Sequence, residues 1–88
     1  MTYSIETSGG YVHYQECNTG SGTTEQGYVK DMVSDGQCAI VYTVLNGAGK
    51  NGPIANQAKA CPKGTETQFS WYYPGYAPVQ VAVYLKEV

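Results

Sequence analysis

The amino-acid sequence predicts an all-β protein: a single domain over residues 1–88, folded as an antiparallel β-sandwich of about seven short strands. Three features predict it. Tyrosine and threonine are abundant, with nine and eight residues, and both suit a pleated, half-buried surface. Leucine is confined to Leu45 and Leu85, and the alanines follow no helical period. Glycine, with 11 residues, supplies the turns between strands.

The first strand is expected at 3–7, ended by Ser8-Gly9-Gly10. At 11–17, Val12 and Tyr14 alternate with His13 and Gln15, the period of a strand. Residues 18–26, polar and rich in glycine and threonine, read as a loop. A strand at 28–33 leads to Asp35-Gly36, a two-residue hairpin signal because both positions tolerate positive φ. Residues 38–45 are apolar on both faces, as a central strand is. Two Asn-Gly pairs make 46–53 a turn-rich loop. The small residues at 56–61 form a weaker strand, closed by Pro62-Lys63-Gly64. Strand 67–73 carries Phe69 and Trp71 on one face and turns at Pro74-Gly75. The last strand, 79–86, points Val79, Val81, Val83 and Leu85 one way, and Gln80, Ala82, Tyr84 and Lys86 the other. Seven strands at this spacing fit two packed sheets that share the valines and Trp71.

Charged residues are 14% of the chain, against roughly 25% in ordinary soluble proteins. The five basic residues are all lysine, and the net charge is −2. That balance argues against nucleic acid, which calls for an arginine-rich basic stripe, and against a polybasic membrane anchor. No apolar run approaches the roughly 18 residues of a membrane span. The chain opens without a basic n-region or apolar h-region, so Met1 is expected to stand where a removed secretion signal ended.

The residues that carry most enzyme chemistry are sparse. His13 is the only histidine, and no G-x-S-x-G element supplies a nucleophile elbow for it. Cys17 shares a strand face with His13, but four residues along a strand is about 13 Å, too far for proton transfer. Nothing has the spacing of a zinc site or an EF-hand, although Asp31 and Asp35 flank the hairpin signal. Glu16 and Glu25 are not a recognisable glycosidase pair, and no glycine-rich phosphate loop opens a helix. The expectation is a protein that is not an enzyme and takes no cofactor and no metal.

The three cysteines, Cys17, Cys38 and Cys61, allow three single bridges, or three buried free thiols in a cytosolic protein. Up-and-down strand order selects among them. Cys38 opens an ascending strand and Cys61 ends the descending one that follows, so both fall at the same end of the sandwich. Cys17 ends an ascending strand at the other. The expected bridge is Cys38–Cys61, with Cys17 a free thiol and the protein extracellular.

The same order gathers loops 18–26, 46–53 and 73–78 at one end. They are built of Gly, Asn, Thr and Tyr, the mixture of rigid contact area and adaptable hydrogen bonding found in antibody loops. Trp71-Tyr72-Tyr73-Pro74-Gly75-Tyr76 is the most aromatic stretch. The functional expectation is a binding module for a protein or glycan, with Tyr73, Tyr76, Asn46, Asn51 and Trp71 as contacts. The alternatives are a structural protein that self-associates through an edge strand or Cys17, and a secreted enzyme inhibitor.

The run Val29-Lys30-Asp31-Met32-Val33-Ser34-Asp35-Gly36-Gln37-Cys38-Ala39-Ile40-Val41, with Gly10-Tyr11-Val12 upstream, resembles a pattern in small secreted actinobacterial β-sandwich proteins of uncharacterised function. They carry an aspartate, a small residue, Asp-Gly and then an alternating strand. The resemblance covers about a third of the chain and implies secretion and a sandwich fold, with no activity attached. It departs from that pattern in its cysteines: the late pair is missing, and Cys61 is the last. A small Tyr-rich sandwich with a Trp-Tyr element is also similar to bacterial amylase inhibitors. Their Trp-Arg-Tyr arrangement needs an arginine this chain lacks, so no inhibitory site carries over.

Overall fold

A computed structural model describes residues 1–33 and 36–88. Seven strands follow in chain order: β1 (Thr2–Glu6), β2 (Gly10–Asn18), β3 (Gly22–Asp31), β4 (Ala39–Leu45), β5 (Ile54–Ala60), β6 (Glu66–Pro74) and β7 (Val81–Glu87). All pairings are antiparallel. One sheet has the order β1-β2-β3-β6 and the other β5-β4-β7. Among the described residues no helix is long and apolar enough to cross a membrane.

The core lies between the sheets, where period-two alternation sends one face of each strand inward. Val12, Tyr14, Val29 and Phe69 from the four-stranded sheet meet Ala39, Val41 and Ala60 from the other. Tyr3, Ile5, Ala58, Trp71, Val83 and Leu85 close the margins. Cys38 and Cys61 are bridged just beyond the Ala39–Ala60 pair, tying β4 to its neighbour β5. Cys17 is free and half-buried, near the opposite end of the sandwich.

Three boundaries differ from the sequence expectation, each for a physical reason. Most of the loop expected at 18–26 is strand: β3 begins at Gly22 and pairs with β2 on one side and β6 on the other. Its polar residues are read as loop by composition, yet Thr23 and Glu25 point inward and are buried. Thr23 is satisfied there, because its Oγ1 donates to the Tyr76 carbonyl at 2.7 Å. Secondly, the strands flanking Asp35-Gly36 lie in different sheets and do not pair, so the expected hairpin is a crossing between sheets. Asp35 itself lies outside the described residues. Thirdly, Val79 is not in the last strand. Pro78 opens a single 3₁₀ turn, Pro78–Gln80, which leaves Val79 exposed and starts β7 at Val81.

Candidate binding surfaces

Loops do gather at one end of the sandwich, opposite the disulfide. Gly75 N–H donates to the Ser21 carbonyl at 2.8 Å, and Asn46 N–H to the Gln80 carbonyl at 2.9 Å. Tyr76 sits between two shallow cavities there. One, of about 250 Å³, is bounded by the Gly20–Gly22 and Gly75–Ala77 backbones; the other, of about 350 Å³, by Leu45, Asn46, Ala48, Pro53 and Ile54. Asn46 adopts φ 59°, and its Oδ1 accepts from Gln80 Nε2 at 3.4 Å.

The other residues expected as contacts fall elsewhere. Tyr73 is only 4% exposed, and its hydroxyl bonds Thr43 Oγ1 and accepts from Asn56 Nδ2. Odd-numbered residues of β6 face inward, so Tyr73 is a core residue. Trp71 also points inward, stacked on Phe69 with centroids 4.5 Å apart. Asn51 is exposed but lines neither cavity. The 46–53 loop does not project freely: it folds back over the outer face of β4, where Tyr42 donates its hydroxyl proton to the Lys50 carbonyl at 3.1 Å.

A different surface brings more chemistry together. The outer face of the four-stranded sheet is ordered in rows by strand register. One row reads Ser4, His13, Tyr28, Gln68, and the next Thr2, Gln15, Gln26, Ser70. Neither contains a lysine or a carboxylate. At the margin a third row, Glu6, Tyr11, Lys30, Glu66, carries the charge. Tyr11, His13 and Tyr28 form a contiguous half-exposed cluster, with ring centroids 5.9–6.5 Å apart. Ser4 Oγ lies 3.0 Å from His13 Nδ1 and 3.2 Å from the Tyr11 hydroxyl, and Gln26 Nε2 donates to Gln15 Oε1 at 3.3 Å.

Between the two uncharged rows lies a depression of about 500 Å³, with His13, Gln15, Gln26, Tyr28, Gln68 and Ser70 around it. Gly27 is in its floor. A Cβ at this position would stand 2.0 Å from the His13 carbonyl oxygen and 2.6 Å from Tyr14 Cα. Only glycine allows β3 to run this close to β2.

The Ser4–His13 hydrogen bond is the contact a serine nucleophile needs, but no third group among the described residues bonds the other ring nitrogen to orient it. No cluster of three or more His, Cys, Asp or Glu side chains among the described residues is placed to hold a metal.

Beneath this sheet lies an unusual interior acid. Glu25 is fully buried, and neither carboxyl oxygen has a hydrogen-bond partner. Register places it between Glu16 on β2 and Trp71 on β6. Burial, and then the neighbouring Glu16 carboxyl, push its pKa up to about 9, so it is neutral at pH 7. Burial and then Glu25 and Glu16 push the Tyr14 hydroxyl up to about 12. Tyr73 is raised as well, chiefly by burial.

Comparison with models of protein families, with curated proteins and with solved structures finds no match to this chain.

Proposed function

We propose that the protein is a non-enzymatic, extracellular carbohydrate-binding module. Its binding surface is the outer face of the four-stranded sheet. The observation that carries this reading is the Tyr11–His13–Tyr28 cluster beside an uncharged row of amides and hydroxyls.

A neutral sugar chain presents two kinds of surface. Its C–H faces carry slight positive charge and stack on the negative face of an aromatic ring. Its hydroxyls both donate and accept, which a carboxamide matches because it offers two donors and a carbonyl acceptor. Tyr11 and Tyr28 supply the first, and Gln15, Gln26, Gln68 and Ser70 the second. An open sheet face suits a polymer that runs across the strands. The disulfide supports an oxidising, extracellular location.

The experiment is a pull-down on insoluble neutral polysaccharides, cellulose and chitin among them, with wild type and Tyr11→Ala/Tyr28→Ala. Buried aromatic anchors dominate binding energy, so the double variant is expected to lose at least about tenfold in affinity. Retention of the double variant equal to wild type would refute the assignment.

A further inference from the structure

The opposite face of the molecule carries the reverse chemistry. Outward positions of the three-stranded sheet are Ile40, Tyr42 and Val44 on β4, Ile54, Gln57 and Lys59 on β5, and Ala82, Tyr84 and Lys86 on β7. Lys59, Ile40 and Lys86 share one row, which sets the two lysines about 10 Å apart across two strand spacings. Lys50 joins them from the loop folded over Tyr42. Three of the five lysines thus lie on one face of a protein whose net charge is −2. No carboxylate occupies an outward position of β4, β5 or β7, or any position of the 46–53 loop. None of the three lysines is ion-paired among the described residues, and the contact Lys86 makes is with the Tyr42 ring, 4.9 Å from its centroid.

We infer that this face is a second binding surface, for an anionic polysaccharide bearing uronate carboxylates. Separated lysines on a flat face, with no acid among them, match charges repeated along a chain. Tyr84, stacked on Tyr42 at 5.5 Å and half-exposed, and the exposed Gln57 amide add sugar-facing groups in the row next to Lys59 and Lys86.

The same geometry disfavours two other occupants. A membrane surface takes an apolar wedge below its headgroups, and a stable protein partner needs a hydrophobic centre to bury. Here the apolar centre is already covered: Ile40, Tyr42 and Val44 are 8%, 5% and 0% exposed. What remains open around them is mostly polar and cationic, with Ile54, at the end away from Lys59 and Lys86, the exposed large apolar side chain among these outward positions. With the opposite sheet reading neutral sugar, one small domain would bridge two kinds of polymer, although the lysine face stands independently of that reading.

The test is affinity electrophoresis of the whole chain in gels with and without sodium alginate, a soluble polyuronate. Wild type is expected to be retarded by alginate, progressively less as salt is added. Exposed charge pairs contribute up to about fivefold each, so Lys59→Gln/Lys86→Gln is expected to weaken binding roughly tenfold, while Lys59→Arg/Lys86→Arg retains it. Because Lys86 packs on Tyr42, Lys50→Gln/Lys59→Gln serves as a second variant that leaves that contact intact. Retention on neutral polysaccharide is expected to be the same in all the lysine variants, which separates failure here from failure of the neutral-sugar site. Absence of alginate retardation, or retardation of both glutamine variants equal to that of wild type, overturns the inference. So does lysine-dependent cosedimentation with phosphatidylserine vesicles in the absence of alginate binding.

Discussion

Tyr28 stands directly across the β2–β3 ladder from His13, with ring centroids 5.9 Å apart. The pair depends on Gly27 beside it, because β3 approaches β2 so closely that a Cβ there would meet the His13 carbonyl. The clash is with backbone, which cannot turn away as a side chain can. Gly27→Ala is therefore expected to destabilise the fold by about 1–3 kcal/mol. It is also expected to weaken neutral-sugar binding by displacing the aromatic cluster. Chemical denaturation with and without ligand measures both effects.

The buried Glu25 makes stability depend on pH. Its folded pKa is raised to about 9, whereas in the unfolded chain it titrates in the ordinary carboxyl range. Between those values the folded state holds one more proton than the unfolded state. Stability from this group is therefore complete in acid and falls as pH rises from about 5 towards 9, by at most about 1.4 kcal/mol per pH unit. Melting temperatures across that range are expected to decline for wild type. Glu25→Gln is expected to flatten the decline and to be the more stable form at pH 8.

Tyr73 separates a fold residue from a contact residue. Its hydroxyl bonds Thr43 and Asn56 inside the sandwich. Tyr73→Phe leaves the buried Thr43 hydroxyl and the half-buried Asn56 amide without that partner, at a cost of about 1–3 kcal/mol, and sugar affinity is expected to be unchanged. Tyr73→Ala opens a cavity and is expected to cost about 3–5 kcal/mol. Calorimetry on both variants, with ligand titrations, checks the distinction.

The disulfide closes a loop of sequence separation 23. Removing it with Cys38→Ser/Cys61→Ser is expected to lower stability by roughly 3 kcal/mol. Without reductant, alkylation of the unfolded protein followed by mass measurement is expected to find one modified cysteine per chain, Cys17. Three would contradict the bridge.

Much of the fold was legible because alternation is a local signal. Val12 and Tyr14, or Val81, Val83 and Leu85, announce an inward face without reference to any other strand. Up-and-down order carried the Cys38–Cys61 pairing, because it needs only the direction of each strand. What local pattern does not encode is which strands become neighbours. The functional surface proposed here is assembled from β1, β2, β3 and β6, so its rows exist only once register is known. His13 and Tyr28 are 15 positions apart in sequence and directly opposite in space. The loop reading of 18–26 failed because Thr23 and Glu25 are polar residues facing inward. Nothing in composition signals a neutral glutamate in the interior. Tyr73 was drawn to the surface by the aromatic run it belongs to, but alternation from Phe69 onward turns it into the core beside Trp71, whose inward face the same alternation had already marked.

The most direct test of the central claim is an NMR titration of the protein with a soluble neutral oligosaccharide, following backbone amides and the glutamine side-chain amides. Shifts concentrated at Tyr11, His13, Gln15, Gln26, Tyr28 and Gln68, and abolished in Tyr11→Ala/Tyr28→Ala, are the result expected of a sheet-face carbohydrate site. Shifts confined to Tyr76, Asn46 and the loops around them, or no shifts with any neutral sugar, would contradict it.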